Sequence, residues 1–300
     1  MELWVLITIG AAFMQNVRTA YQKALKGQVS TVGAASTRFF FALPFIWLYV
    51  WALFSFGGYE APDLNIGFWL WLSVAGISQI LFTVTLVWLF SFRSFAVGVT
   101  LSKLDVILIA VFGLLFLGDG LEGRAIVAIG LGIAGTLLLS VAQIDLTWRT
   151  VLKGVGEKST GIGVLCAALL GLSSTGVRGA LLTLPDDPLL SKAAYALALM
   201  LTMQCIVMLA YFLLRDRAEL GRIARAWRLA LPVGLSGVIG SVGWFSAYSL
   251  QAAAYVSAVG KIELVFSYLS SLLIFRESVS RMELVGMVMI GLGVVLIALP

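Results

Sequence analysis

Long apolar stretches alternate with short polar connections along the whole chain. Ten of these stretches are about 18 to 25 residues long, the length that an α-helix needs to cross a hydrocarbon core about 30 Å thick. The predicted spans, numbered 1 to 10 in chain order, cover about 2–24, 31–54, 67–90, 95–117, 123–142, 160–184, 190–214, 229–250, 254–275 and 282–299. The pattern therefore predicts an all-α integral membrane protein with ten transmembrane helices.

The composition supports this class of protein. Hydrophobic residues make up 61% of the chain and charged residues only 12%, compared with about 25% charged residues in soluble domains. The longest polar connections, "DLTWRTVLKGVGEKS" and "RDRAELGRIARAWR", are too short to form a core of their own. The first residues, "MELWVLITIG", lack a basic segment and a convincing cleavage site, so we expect span 1 to be retained rather than removed as a signal peptide.

The residues needed for most catalytic chemistry are missing or scattered. The chain has no histidine, which removes the commonest metal ligand and argues against a metal-dependent hydrolase. Its two cysteines, Cys166 and Cys205, fall inside predicted spans and are interpreted as small buried apolar residues rather than a disulfide or a metal site. No nucleophile, base and orienting group recur at useful spacing, so we expect neither an enzyme nor a cofactor.

The basic residues are distributed unevenly between the two sides of the predicted bundle. Thirteen lysines and arginines lie in or beside the connections after spans 1, 3, 5, 7 and 9, whereas the even-numbered connections contain only Arg124 and Lys192. Because cytoplasmic connections are enriched in basic residues, this bias predicts cytoplasmic odd-numbered connections and both termini outside. It also accounts for the net charge of +5 without a nucleic-acid partner.

The two halves of the sequence resemble each other. At an offset of 158 residues, "SKLDVILI" at 102–109 aligns with "GKIELVFS" at 260–267, and at an offset of 160 "VRTA" at 17–20 aligns with "VRGA" at 177–180. Such internal similarity is typical of transporters that are built from two structural repeats.

The repeats are predicted to cover residues 1–145 and 150–300, with five spans in each. Because five is an odd number, the second repeat must enter the membrane with the opposite orientation. Two inverted repeats around a central site favour alternating access, in which one half rocks against the other.

Four charged residues lie deep in spans 4 and 9: Lys103 and Asp105, and their repeat counterparts Lys261 and Glu263. Each lysine is about ten residues from the preceding interface, so both are about 15 Å deep, close to the midplane. Residues two apart on a helix diverge, so neither pair can neutralise itself. Two interpretations remain open: ion pairs of Lys103 with Glu263 and of Lys261 with Asp105, or charges that line a cavity and meet substrate or protons.

Other polar residues in the spans allow weaker inferences. Arg18 and Arg178 are close to span ends, and we expect their side chains to extend to the membrane interface. Arg38 is equally compatible with a cavity. Gln15 and Gln79 are typical of hydrogen bonds between transmembrane helices.

Several of these features together resemble a known family. They are the two inverted sets of five spans, a "Y/F-S-x-x-x-x-A" turn before the fourth span, an acidic residue ending that span in each half (Asp119 and Glu277), and glycine-rich spans 5 and 10. The whole chain resembles the drug/metabolite transporter superfamily, EamA type. Within it the sequence looks like the YddG-type exporters of aromatic and other neutral amino acids.

This resemblance implies a basket-like bundle with spans 1, 3, 4, 6, 8 and 9 around a central cavity and spans 5 and 10 at its periphery. The substrate-binding residues that it implies are Ser78, Gln79, Lys103, Asp105, Trp244, Lys261 and Glu263. The chain departs from the family pattern in two ways: lysine stands near the middle of spans 4 and 9 where many relatives have proline, and the connection after span 2 is acidic rather than basic.

The function predicted from these features is export of amino acids across a bacterial-type inner membrane. A zwitterion presents a carboxylate and an ammonium group, and a cavity with lysines, carboxylates and aromatic walls matches both. Organic phosphates, nucleotide sugars, lipophilic cations and a non-transport scaffold remain as alternatives. The expected partners are a small-molecule substrate and the lipid bilayer, with a monomer favoured over an obligate dimer.

Overall fold

A computed structural model of the chain describes residues 2–25, 27–89, 101–143, 158–184, 187–270 and 280–299. Within these ranges the regular structure is helical and no β-strand is found. The α-helices are Leu3–Ala24 (α1), Thr31–Phe40 (α2), Leu43–Phe56 (α3), Ile66–Leu89 (α4), Asp105–Phe112 (α5), Gly123–Gln143 (α6), Lys158–Leu182 (α7), Leu189–Arg215 (α8), Arg217–Arg225 (α9), Trp227–Leu250 (α10), Ala253–Gly260 (α11), Ile262–Ser270 (α12) and Arg281–Ala298 (α13). A π-helical turn, Gly113–Leu117, continues α5.

Seven helical segments of the described chain are long and apolar enough to cross a membrane, and they coincide with predicted spans 2, 3, 5, 6, 7, 8 and 10. This confirms an all-α protein with several membrane spans, while the count of ten stays a prediction. Helix α1 has 22 residues and occupies predicted span 1, but its second half carries Gln15, Asn16 and Arg18, which lower its hydropathy.

Predicted spans 4 and 9 are not continuous helices in the structure. Span 4 turns at Lys103 and Leu104 before α5 begins, and span 9 turns at Lys261 between α11 and α12. The N–H of Leu104 donates to the carbonyl of Leu101 at 3.0 Å, and the N–H of Lys261 donates to the carbonyl of Ala258 at 3.2 Å. Each of these bonds joins residues that are three positions apart in the sequence, rather than four as in an α-helix, and this tightens the backbone locally. The apolar pattern predicts the length of each span, but it does not reveal that the helix is interrupted in the middle.

Predicted span 2 is also divided, into α2 and α3. Pro44 lies in the first turn of α3. A proline is tolerated there because the first N–H groups of a helix have no partner within the helix.

The main helix contacts join the two halves of the chain. Helix α1 packs against α10, α4 against α7, α3 against α8, and α6 against α13. Helix α5 also contacts α7, and α11 and α12 contact α1. One central volume is therefore surrounded by residues from nine helices: α1, α2, α4, α5, α7, α8, α10, α11 and α12.

Glycines allow α6 and α13 to approach closely. A Cβ atom built on Gly135 would lie 2.6 Å from the carbonyl oxygen of Gly286, so the two backbones are in contact. Gly130 and Gly291, in contrast, have nothing within 4 Å of an added Cβ. The close approach of the two helices therefore involves Gly135 and Gly286 and not Gly130 or Gly291.

The polar connection between α8 and α10 contains the short helix α9. Asp216 caps its first turn by accepting the N–H of Glu219. The Glu219 side chain is fully buried and accepts the N–H of Ser30 at 2.6 Å, at the start of α2. Arg222 donates to Glu219, and this hydrogen bond raises the pKa of Arg222 above its ordinary value. The carboxylate thus joins this connection to the N-terminus of α2, where negative charge is favourable.

Candidate substrate cavity

A cavity of about 410 Å³ lies between the two halves. This volume is in the range of small-molecule sites, which is about 300–1,000 Å³. Five aromatic residues form part of its wall: Phe39, Phe82, Trp244, Phe245 and Tyr248. Trp244 and Tyr248 are stacked, with ring centroids 6.0 Å apart. The cavity therefore combines apolar walls with the charged residues described below.

Six of the seven predicted site residues line this cavity. They are Gln79, Lys103, Asp105, Trp244, Lys261 and Glu263. Ser78 is buried on α4 but is not part of the lining, because neighbouring helical residues point about 100° apart. The structure thus brings the deep charges of both halves together, while their contact with substrate stays a prediction.

Lys261 and Asp105 form an ion pair across the two halves. The Nζ atom of Lys261 lies 2.7 Å from Oδ1 of Asp105, and the two side chains are 11% and 7% exposed. Lys261 is held at the turn between α11 and α12, and Asp105 is the first residue of α5. A carboxylate is favoured at a helix N-terminus, where the peptide dipoles carry partial positive charge. This predicted pair is confirmed.

The second predicted pair, Lys103 with Glu263, is absent from the described part of the chain. Glu263 instead accepts a hydrogen bond from the side-chain amide of Gln15 on α1. The reason lies in the register of the two turns. Leu104, not Lys103, occupies the position in the first turn that Lys261 occupies in the second. A shift of one residue rotates a helical side chain by about 100°, so the two lysines point differently.

Arg18 and Arg38 also line the cavity. The expectation that Arg18 extends to the membrane interface is therefore wrong. The Nε atom of Arg18 and the Nη2 atom of Arg38 are buried and lack a hydrogen-bond partner among the described residues. The guanidinium of Arg38 also lies over the ring of Phe39, 4.5 Å from its centroid. One sequence signal was available: Arg18 follows Gln15 by three residues, so both share a face of α1.

Arg178 was likewise expected at the interface, but it lies in a network of four hydrogen bonds. It donates to both carboxylate oxygens of Asp119, at 2.7 and 3.0 Å. It also donates to the carbonyls of Tyr248 and Gln251, at 2.8 and 2.9 Å. These carbonyls are at the C-terminal end of α10, where a cation is favourable. Arg178 thus ties α7 to the end of predicted span 4 and to α10.

Gln204 on α8 is a further polar residue of the cavity wall, and no motif or repeat in the sequence marks it. Its side chain is fully buried and donates to Oε1 of Gln79 at 2.9 Å, which links α8 to α4 at the cavity wall. Only its polar character within an apolar span could have drawn attention to it.

These observations define a helical membrane protein with several spans and a charged central cavity. Residues 159–299, slightly less than half of the chain, match the sequence model of the EamA-like transporter family. Over these residues the chain is similar to transporters, and the class of protein that this similarity favours is a membrane transporter of small solutes.

The fold itself is also known from a solved protein. One crystal structure is similar over 98% of this chain and 95% of its own, with a TM-score of 0.70 and 13% sequence identity. At this identity the likeness shows a common fold. None of the curated proteins compared with the chain matches it.

Proposed function

We propose that the protein exports amino acids, aromatic and other neutral ones, by alternating access through the central cavity. The observation that carries this proposal is the charged cavity between the two halves, bordered by turns at Lys103 and Lys261 in the middle of predicted spans 4 and 9. Discontinuous helices near the midplane are typical of transporter binding sites. A rigid scaffold has no need for such a cavity.

The helix contacts support two related five-span repeats, 1–145 and 150–300, and the odd number of spans in each repeat makes them inverted. Exchanging the halves turns span 1 into span 6 and span 3 into span 8. The contact of α1 with α10 then becomes the contact of α7 with α4, and both contacts are present. The contacts of α11 and α12 with α1 correspond in the same way to the contact of α5 with α7. This symmetry is what rocking of one repeat against the other requires.

A zwitterion fits the charges of the cavity. Glu263 is a carboxylate that can receive an ammonium group, and Lys103 is a cation without an ion-pair partner among the described residues. Trp244 and Tyr248 offer an aromatic surface for an apolar side chain. We assign Lys261 and Asp105 to the link between the halves, since each already neutralises the other.

A second candidate substrate is an organic phosphate. The observation that favours it is the presence of Arg18 and Arg38 in the cavity wall, because arginine binds phosphate with two parallel hydrogen bonds. The same arginines argue against lipophilic cations.

We further propose a bacterial-type inner membrane location, a monomer, and both termini outside. The uneven distribution of basic residues supports this orientation.

Exchange in liposomes tests the transport proposal. Purified protein is reconstituted into liposomes loaded with an unlabelled amino-acid mixture, and uptake of labelled phenylalanine is followed. We expect exchange by the wild type, loss of exchange in Lys103→Met, and normal exchange in Arg225→Met, which removes an exposed arginine of α9. Movement of a labelled organic phosphate or cation instead of phenylalanine would contradict the amino-acid proposal. Movement of none of them by folded protein would contradict transport.

A further inference from the structure

Two arginines from successive helices meet on one side of the cavity. Arg18 belongs to α1 and Arg38 to α2, and both line the cavity. The positive charge of Arg18 acts unfavourably on that of Arg38. A Cβ on Gly237 of α10 would lie 3.5 Å from Cδ of Arg18 and 3.9 Å from the carbonyl oxygen of Arg38, so this glycine lies beside both residues. Two arginines thus belong to neighbouring parts of the cavity wall.

Each of these arginines has one buried nitrogen atom without a hydrogen-bond acceptor among the described residues. The Nε atom of Arg18 and the Nη2 atom of Arg38 are buried and find no acceptor among the described residues. Glu263 attracts Arg18 electrostatically, but its hydrogen bond is with Gln15. A buried charged donor without an acceptor is costly, so an acceptor supplied by a ligand would be strongly favoured.

The charge balance of the cavity points in the same direction. Among the described residues its lining has four cations, Arg18, Arg38, Lys103 and Lys261, and two carboxylates, Asp105 and Glu263. Four positive and two negative charges leave an excess of two positive charges. The pair of Lys261 with Asp105 is already neutral, so this excess falls on the two arginines and Lys103. In a site with low dielectric constant it favours a ligand with an anionic group.

We propose that Arg18 and Arg38 together bind the anionic group of the substrate, a carboxylate or a phosphate. The planar fork of each guanidinium matches the oxygens of either group. This inference rests on the proposed transport function and adds the two arginines to Lys103 as cations for the anionic group, while Lys261 stays paired with Asp105. For an amino acid, the ammonium group then faces Glu263, which Gln15 and the attraction to Arg18 hold nearby.

Calorimetric titration of the detergent-solubilised protein tests the site without any transport. Three probes share a phenyl ring and differ in charge: phenylpropionate, phenyl phosphate and phenylethylamine. We expect the wild type to bind at least one of the anionic probes about tenfold or more tightly than the amine, as one good charge-assisted interaction would give. Binding of phenylpropionate alone identifies a carboxylate site, and binding of phenyl phosphate alone identifies a phosphate site. Both results support the proposal.

Variants then assign the binding to the arginines. Arg38→Met and Arg18→Met should each weaken binding of the favoured anionic probe by about tenfold or more, whereas Arg38→Lys, which keeps the charge but loses the fork, should retain part of the affinity. Arg225→Met, on the exposed face of α9, should bind like the wild type.

Two results would overturn the proposal. One is a wild type that binds the amine as tightly as both anions, or binds none of the three probes, a comparison that needs no variant to fold. The other is unchanged binding of the favoured anion by folded Arg38→Met and Arg18→Met. The liposome assay is independent of these results: exchange without anion selectivity contradicts only the arginine site, and anion binding without exchange contradicts only transport.

Discussion

Replacing Lys261 with methionine should destabilise the folded protein more than the loss of any unpaired cation of the cavity. The Nζ atom of Lys261 lies 2.7 Å from Asp105, whose side chain is only 7% exposed. The variant leaves this carboxylate buried without an ion-pair partner among the described residues. Breaking a buried pair in this way costs about 3 to 5 kcal/mol. We expect the lower end, about 3 kcal/mol, because both side chains keep some exposure to the cavity.

The reverse substitution provides an internal check. Asp105→Asn leaves Lys261 charged, but Lys261 is also attracted by Glu263. The cost of Asp105→Asn should therefore be smaller than that of Lys261→Met. The double variant should cost less than the sum of the two single variants, with a coupling energy of at least about 1 kcal/mol.

Equilibrium unfolding in mixed micelles with increasing SDS measures these free energies. Lys103→Met is the matched control, since Lys103 lines the same cavity at the turn of the first half but has no ion pair among the described residues. Its free energy of unfolding should change by no more than about 0.5 kcal/mol. The reasoning is refuted if Lys261→Met costs no more than Lys103→Met, or if the two single variants are additive.

Four further substitutions test helix packing and a buried carboxylate, each by the same unfolding measurement. Gly260→Ala places a Cβ where the ring of Trp244 lies, so we expect a loss of about 1 to 3 kcal/mol and a changed tryptophan fluorescence; unchanged values would contradict the close contact. Gly135→Ala places a Cβ 2.6 Å from a carbonyl oxygen of α13 and should destabilise the protein by about the same amount. Its control is Gly130→Ala, which faces open space and should be neutral or slightly stabilising. Equal changes in the free energy of unfolding would argue against this helix interface. Glu219→Gln removes the buried charge of α9 that accepts the N–H of Ser30 at the start of α2, and it should cost about 1 to 3 kcal/mol. An unchanged free energy of unfolding would show that the carboxylate does not stabilise this connection.

The lengths of the apolar stretches predicted most of the fold. Both ends of six helices lie within a few residues of the bounds of predicted spans, namely α4, α6, α7, α8, α10 and α13. The reason is that crossing a hydrocarbon core requires a certain number of apolar residues, whatever the neighbouring helices do. The turns at Lys103 and Lys261 were not predictable in this way. An apolar run has the same pattern whether its helix continues or is interrupted for a few residues.

Repeat similarity predicted part of the site. It selected Lys261 and Asp105, which do pair, and it also suggested a pair of Lys103 with Glu263, which does not form. Sequence alignment matches the two lysines at an offset of 158, whereas the tight turns match at 157. One residue of register separates a lysine that reaches a carboxylate from one that does not.

By itself the sequence determined an all-α membrane protein with deep charges in spans 4 and 9, since hydropathy and the spacing of charges depend only on local chain order. Only the tertiary structure decided which of these charges are neutralised and that Arg18 and Arg38 face the cavity. Each of these outcomes depends on the rotation and register of helices that are far apart in sequence, such as α5 and α12. Rotating a helix by one residue changes the partner of a buried charge without changing the hydropathy of its span.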